Sequence, residues 1–346
     1  MVKRAHPGKW IYNIKFFSVL FVFTSFIACN LKEESKNDVK IEQVKENKDA
    51  QSFKQAPEFN SDSAYYYIQK QVDFGPRVPN TKEHAACAEW IKNKLSSFTG
   101  WEVQIQEFKA RAFDDKILNG KNIIASYNKD NSKRILLFAH WDTRPFADQD
   151  TIDRNKPIPG ANDGGSGVGV LLEIARQISL NPINIGVDII FFDAEDFGQP
   201  DGTIMQRKSD TYCLGSQHWT KNLHVPGYRA YYGILLDMVG AKDATFTMEA
   251  TSMYYASNVV EKVWAVAHKL GYGNYFLYKR TDGITDDHYY VNAIAGIPSI
   301  DIIQHDPETR SNFGKYWHTH DDNMNVIDRN TLKAVGQTVL QVLYNE

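Results

Sequence analysis

The sequence predicts one α/β domain over residues 57–346, built on a central mixed β-sheet with helices on both faces. Three observations predict it. Apolar, strand-like runs alternate with stretches of helical spacing along that whole segment, and such alternation places a sheet between helical layers. Two of the runs, Ile135-Leu136-Leu137-Phe138 and Ile189-Ile190-Phe191-Phe192, are apolar at every position, as a strand covered on both faces must be. A third, Trp101-x-Val103-x-Ile105, alternates apolar with polar, the pattern of a half-exposed antiparallel strand, so the sheet is mixed.

Taken in order, helical spacing covers 61–72 and 80–96, the second with Cys87, Trp90, Ile91 and Leu95 on one face. Strands follow at 101–108, 122–127 and 134–138. A helix at 166–179 is expected to start with Ser166 as its cap, and a strand at 187–192 and a helix at 216–222 come next. Strands at 230–236 and 245–250, a helix at 255–270, a strand at 298–303 and a helix at 328–343 complete the chain. No internal repeat interrupts it, and one large α/β domain can absorb roughly 290 residues.

Composition narrows the class. The 346 residues are 42% hydrophobic, with seven Trp, eighteen Tyr and nineteen Phe, enough for a core, so wholesale disorder and a fibrous chain are excluded. Three cysteines exclude a disulfide scaffold and a four-cysteine zinc module. No run reaches the ~18 apolar residues of a spanning helix. The net charge is −3, and the first 28 residues carry Lys3, Arg4, Lys9 and Lys15 with no acid, so the remainder is more acidic still. A nucleic-acid binder needs a basic face; no nucleic-acid partner is expected.

Residues 1–28 read as an address. A basic stretch leads into the apolar run 16–28, broken only by Ser and Thr, which suits the core of a secretory signal. It closes on Phe26-Ile27-Ala28-Cys29, which resembles a bacterial lipoprotein signal with Cys29 as the lipidated N-terminus. Eleven of the eighteen residues from 32 to 49 are charged, so 29–56 is expected to be a solvated tether. The expected location is the bacterial cell envelope, facing the periplasm or the outer surface, with a lipid anchor in the membrane. A monomer is the default expectation.

The chemistry gathers at strand ends. The run ending at Phe138 leads into His140-Trp141-Asp142, the run ending at Phe192 into Asp193-Ala194-Glu195-Asp196, and Ile234-Leu235-Leu236 into Asp237. In open α/β sheets ligands bind beyond the carboxyl ends of strands. Asp163 stands just before a helix in Gly160-Ala161-Asn162-Asp163-Gly164-Gly165, and His318 in Trp317-His318-Thr319. Imidazoles and carboxylates are ligand types of zinc, whose catalytic sites take three protein groups and keep a position open. Other motifs fail. There is no His-Glu-x-x-His, Gly164-Gly165-Ser166-Gly167-Val168 is not a nucleophile elbow, and the same glycines lack the third Gly of a dinucleotide fingerprint. They are expected to let a helix pack closely behind Asp163. His84 and His268 read as surface or packing residues.

The motif series His140-Trp141-Asp142, Gly160 to Gly165, Phe191 to Asp196, Leu236-Asp237-Met238 and Trp317 to Asn323 resembles that of the zinc-dependent aminopeptidase superfamily. Within it the series is most similar to the bacterial glutaminyl cyclases. The resemblance covers the domain from about residue 60 to the C-terminus, in motif order. It implies one zinc held by Asp163, Asp196 and His318. In a two-zinc aminopeptidase, the residues matching His140, Asp163 and Asp237 would hold a second metal. It also implies Trp317 and Phe313 as walls of a glutamine pocket, and Asp287, the second acid of Asp286-Asp287-His288, paired with Asp237. One departure is Asp196, where animal cyclases use Glu.

The expected reaction converts N-terminal Gln of peptides and proteins to pyroglutamate with release of ammonia. Glu195 is the expected proton shuttle, supported by Asp237 and Asp287. A two-zinc aminopeptidase is the alternative, and a catalytically dead binding module would have lost ligands or base, which all stand here. The lipoprotein-like signal makes one outcome specific. Wild-type protein should sediment with membranes and a Cys29→Ser variant should not; wild-type protein found wholly soluble would contradict the anchor.

Overall fold

The fully apolar runs become the middle of the sheet. The structure is a computed structural model describing residues 54–200 and 206–346; the signal, Cys29 and the tether up to residue 53 lie outside the described residues. Eight strands are described: β1 (Trp101–Arg111), β2 (Ile117–Tyr127), β3 (Arg134–His140), β4 (Gly186–Phe192), β5 (Tyr232–Asp237), β6 (Phe246–Glu249), β7 (Phe276–Thr281) and β8 (Ser299–Ile303). Six form the main sheet in the order β1-β2-β4-β3-β5-β8, and β6 and β7 pair apart from it. The neighbours β4, β3, β5 and β8 run parallel, whereas β1–β2 and β2–β4 are antiparallel. Every residue of β3, β4, β5 and β8 is buried, and β1 at the edge alternates. The mixed sheet expected from the sequence is the one observed.

Among the described residues seven α-helices cover it: α1 (Ser61–Asp73), α2 (Lys82–Ser96), α3 (Gly165–Leu180), α4 (Leu214–Lys221), α5 (Ala250–Lys269), α6 (Asp287–Tyr290) and α7 (Arg329–Tyr344). Strand alternation sorts the core. Ile135, Leu137, Ile189 and Phe191 pack with residues of α1, α2, α3, α5 and α7. Their neighbours Leu136, Phe138, Ile190 and Phe192 pack instead with Trp219 of α4, Val291 and Ile297. Helices therefore lie on both faces, thickly on one and thinly on the other. Among the described residues no helix is long and apolar enough to cross a membrane.

Several boundaries depart from the expected ones for local reasons. Asn80 takes φ 77°, outside a helix, and Thr81 caps α2 by accepting from the His84 N–H. Glu249 ends β6 and caps α5 by accepting from the Thr251 and Ser252 N–H groups, so Ala250 belongs to the helix. That helix is broken at Ala256 (φ −148°, ψ 44°), near the start of the stretch with helical spacing. The N-cap of α3 is Gly164, not Ser166; Ser166 lies inside the first turn and donates to the Asn162 carbonyl at 2.6 Å. The domain also begins before residue 57, because Ala56 N–H donates to Gln341 Oε1 at 3.0 Å and Gln341 Nε2 to the Lys54 carbonyl at 2.8 Å.

Gly167 brings α3 against the strand that carries Asp237. A Cβ built at Gly167 would lie 2.1 Å from the Leu236 carbonyl oxygen and 2.9 Å from the Ala139 Cβ. Gly167→Ala gains about 0.5–1 kcal/mol of helix propensity but must push α3 off the sheet, an overpacking cost of about 1–3 kcal/mol. A net loss of stability is expected in urea denaturation; an unchanged or raised midpoint would show that α3 does not depend on this close approach.

Candidate active site

The carboxyl ends of β3, β4 and β5 meet at one rim, and the loops that follow fold over it. His140 is the last residue of β3 and pairs with Phe192, the last of β4. Beyond Phe192, Ala194 takes φ 55°, which turns the chain so that Glu195 and Asp196 follow at the rim. Asp142 fixes that turn: its two carboxylate oxygens accept the Glu195 N–H at 3.0 Å and the Asp196 N–H at 3.2 Å. Asp322 does the same for the Asp163 loop, accepting the Asn162 N–H at 2.8 Å and the Asp163 N–H at 3.0 Å. Asn162 Oδ1 in turn accepts the Gly240 N–H, and Ser166 Oγ accepts the Val239 N–H. The chain after Asp237 is thereby tied to the chain around Asp163.

Two sets of ligand-type groups result, and Asp163 belongs to both. In the first, Asp163, Asp196 and His318 place one ligand atom each within 4.8 Å of one another. His318 Nε2 lies 3.4 Å from Asp196 Oδ1 and 3.8 Å from Asp163 Oδ2. Ligands on bonds of ~2.1 Å in a tetrahedral site stand roughly 3.4 Å apart, so the spacing suits zinc. All three residues are buried, and Asp196 Oδ2 has no hydrogen-bond partner. An oxygen left bare in a dry site is a ligand atom in want of a cation. The set fits the metal. In the second, His140 Nε2 lies 3.1 Å from Asp163 Oδ1 and 3.1 Å from Asp237 Oδ1.

A buried cation supports the first set from behind. Arg144 donates to both oxygens of Asp148 at 2.6 and 3.0 Å and reaches Asp196 Oδ1 at 3.3 Å. Asp148 Oδ1 lies 3.1 Å from His318 Nδ1, which turns Nε2 toward the aspartates, as a carboxylate behind a metal-bound imidazole does. Trp317 stacks on the His318 ring with centroids 3.6 Å apart, and Phe313 packs on Trp317 at 5.1 Å.

These groups enclose a cavity of about 210 Å³. Asp163, Asp196, Asp237, Glu195 and His318 line its polar side, and Phe313, Trp317, Met238, Ile284 and Ile303 its apolar side, with Tyr212, Thr285 and Asp286 completing it. Of the residues singled out from sequence, Asp287 is displaced. It is fully buried with neither carboxylate oxygen hydrogen-bonded, whereas its neighbour Asp286 lines the cavity. Asp286 is the extended N-cap of α6 and Asp287 its first helical residue, so the two side chains diverge. His140 lies beneath the rim, outside the cavity lining. His84 is a packing residue, stacked on Trp141 and 2.8 Å from Asp193 Oδ2. Cys87 and Cys213 are buried and carry free thiols.

Burial sets the electrostatics. It raises the proton affinity of Glu195 well above the usual carboxylate range; His140 opposes the shift, and Asp286, Asp196 and Asp287 add to it. Asp286 is raised to about 7, by burial and then by the charge of Asp237. Like charges in one low-dielectric site cannot all ionise. Arg144, Asp148, Asp142 and Asp322 were assigned no role from the sequence. Asp142 and Asp322 stand inside the quoted motifs, but Arg144 and Asp148 carry no sequence signal, since Asp196 and His318, which they support, lie far along the chain.

Comparison with known proteins agrees with this geometry. A model described as peptidase family M28 matches residues 122–343. Aminopeptidase YwaD of Bacillus subtilis (strain 168) is 30% identical over 242 residues, which cover 68% of this chain. They cover 46% of that protein, so the chain spans about half the length of this relative. Among solved structures, Tannerella forsythia glutaminyl cyclase superposes with a TM-score of 0.82 at 54% identity, covering 84% of this chain and all of that one (100%). A leucine aminopeptidase precursor from Bacteroides thetaiotaomicron superposes with a TM-score of 0.81 at 52% identity, covering 84% and 99%. The family match and the ligand geometry lead to one conclusion: the chain belongs to peptidase family M28.

Proposed function

We propose that the chain is a glutaminyl-peptide cyclotransferase that closes N-terminal Gln of peptides and proteins to pyroglutamate. The observation that carries this reading is the lining of the small cavity at the rim. An aromatic wall of Trp317 and Phe313 faces Glu195, Asp237 and Asp286, with His318 of the ligand set beneath Trp317. The likeness to Tannerella forsythia glutaminyl cyclase supports it.

In the reaction the α-amine of Gln attacks its own γ-carbonyl carbon. A C–N bond forms, the bond to the side-chain nitrogen breaks, and that nitrogen leaves as ammonia. Zinc held by Asp163, Asp196 and His318 supplies Lewis-acid polarisation of the γ-carbonyl when bound. The protein must hold the residue folded on itself, a positioning task that the aromatic wall performs. It must also move one proton from the attacking amine to the leaving nitrogen. Glu195, at the cavity edge, is suited to both halves of that transfer, because a carboxylate of raised proton affinity can take a proton and return it. Asp286, rather than Asp287, is assigned as the partner of Asp237 and Glu195. The apolar lining also limits the water that would turn ring closure into hydrolysis.

A second reading has an observation in its favour. His140, Asp163 and Asp237 also converge, and the chain resembles aminopeptidases as closely as cyclases. There Glu195 would activate water across two metals. Envelope anchoring through Cys29 remains part of the proposal, since a tethered enzyme would meet exported peptides.

The test is one assay with two products: ammonia from a Gln-initiated peptide, and free amine from a chromogenic Leu amide. The account expects ammonia and little hydrolysis; hydrolysis without ammonia would overturn it. In Glu195→Gln the rate should fall by about two to four orders of magnitude, while KM changes far less. Zinc content and melting temperature should stay near wild type, because the ligand set is untouched. Retention of more than about a tenth of the activity would remove Glu195 from the mechanism.

A further inference from the structure

We propose that Cys213 is a positioning residue for Glu195, its thiol holding the carboxylate in the orientation that proton transfer requires. Their two segments are bound together by three hydrogen bonds, two of them between these residues. The Cys213 N–H donates to the Glu195 carbonyl at 2.8 Å, the Leu214 N–H to the Ala194 carbonyl at 3.1 Å, and Cys213 Sγ lies 3.1 Å from Glu195 Oε1. Cys213 adopts the left-handed conformation (φ 57°, ψ 35°) at the start of α4, and the backbone bonds that enforce it also aim the side chain at Glu195. On the other side, Asp142 holds the Glu195 N–H. Main chain and one carboxylate oxygen of Glu195 are therefore fixed.

A thiol suits this position for two reasons. Cys213 is fully buried, with Glu195 and Asp286 close enough to form one cluster with it. Burial first, and then Glu195, Asp287 and Asp286, hold the thiol protonated. It is a donor there and not a nucleophile. A thiol is also a weak donor. It orients the carboxylate through one directional contact to Oε1.

The inference rests on Glu195 as the group that moves the proton, and its test uses the full-length zinc enzyme with Cys213→Ala and Cys213→Ser. Both replacements keep a Cβ, so neither relieves the left-handed backbone. Cys213→Ala should lower kcat by about three- to tenfold, the effect of one lost hydrogen bond, with KM and zinc content unchanged. Cys213→Ser should recover kcat to within about twofold of wild type, because the hydroxyl still donates. Infrared spectroscopy supplies a readout free of turnover. The S–H stretch assigned to Cys213 by its loss in Cys213→Ser should move to higher frequency in Glu195→Ala. Full kcat in Cys213→Ala, equal losses in both variants, or an S–H band that Glu195→Ala leaves in place would each overturn the proposal. Should ammonia release be absent from wild-type enzyme, the cyclase reading falls, and the S–H band still decides whether the thiol holds Glu195.

Discussion

Negative charge concentrated at the carboxyl ends of three parallel strands is the constraint on which the rest of this molecule depends. Asp163, Asp196, Asp237, Asp286 and Glu195 share one cavity, and buried carboxylates tolerate each other only when cations or protons stand between them. The protein supplies part of the compensation itself. Arg144 reaches Asp196 and Asp148, His140 lies between Asp163 and Asp237, and His318 faces Asp163 and Asp196. The bare Asp196 oxygen marks where a metal would supply more, and the raised proton affinities of Glu195 and Asp286 supply protons in the remainder.

The fold serves that rim. A parallel arrangement of β4, β3 and β5 brings His140, the 193–196 turn and Asp237 to the same edge. Close packing of α3 through Gly167 brings the Asp163 loop down onto Leu236. Asp142 and Asp322 then fix the geometry, each holding two successive N–H groups of a ligand-bearing turn. Two accepted N–H bonds per carboxyl group suit such turns, the one after β4 being left-handed at Ala194.

Much of this was legible in the sequence because it depends on local pattern. Unbroken apolar runs ending in acids announced buried parallel strands with functional ends, and the glycines beside Asp163 announced a tight helix approach. What was not legible depends on three-dimensional neighbours or on short elements. Strand β7 is mostly exposed and has no apolar period to betray it. The choice between Asp286 and Asp287 turns on one backbone transition at the start of α6, which adjacent identical residues cannot signal. Ser166 has the composition of a cap, but the turn at Gly164 (φ 84°) takes that place, leaving Ser166 to tie Asn162 to Val239. Arg144 stands in no motif of the sequence and is fully buried under the ligand set.

The central claim is that the rim carries one metal, with Asp237 kept for the carboxylate network. Zinc per chain, measured by elemental analysis on wild type and on Asp237→Asn, tests it most directly. The account predicts close to one zinc in both proteins, with activity lost in the variant. Close to two zincs in wild type, falling to one in Asp237→Asn, would contradict it and identify a two-metal aminopeptidase.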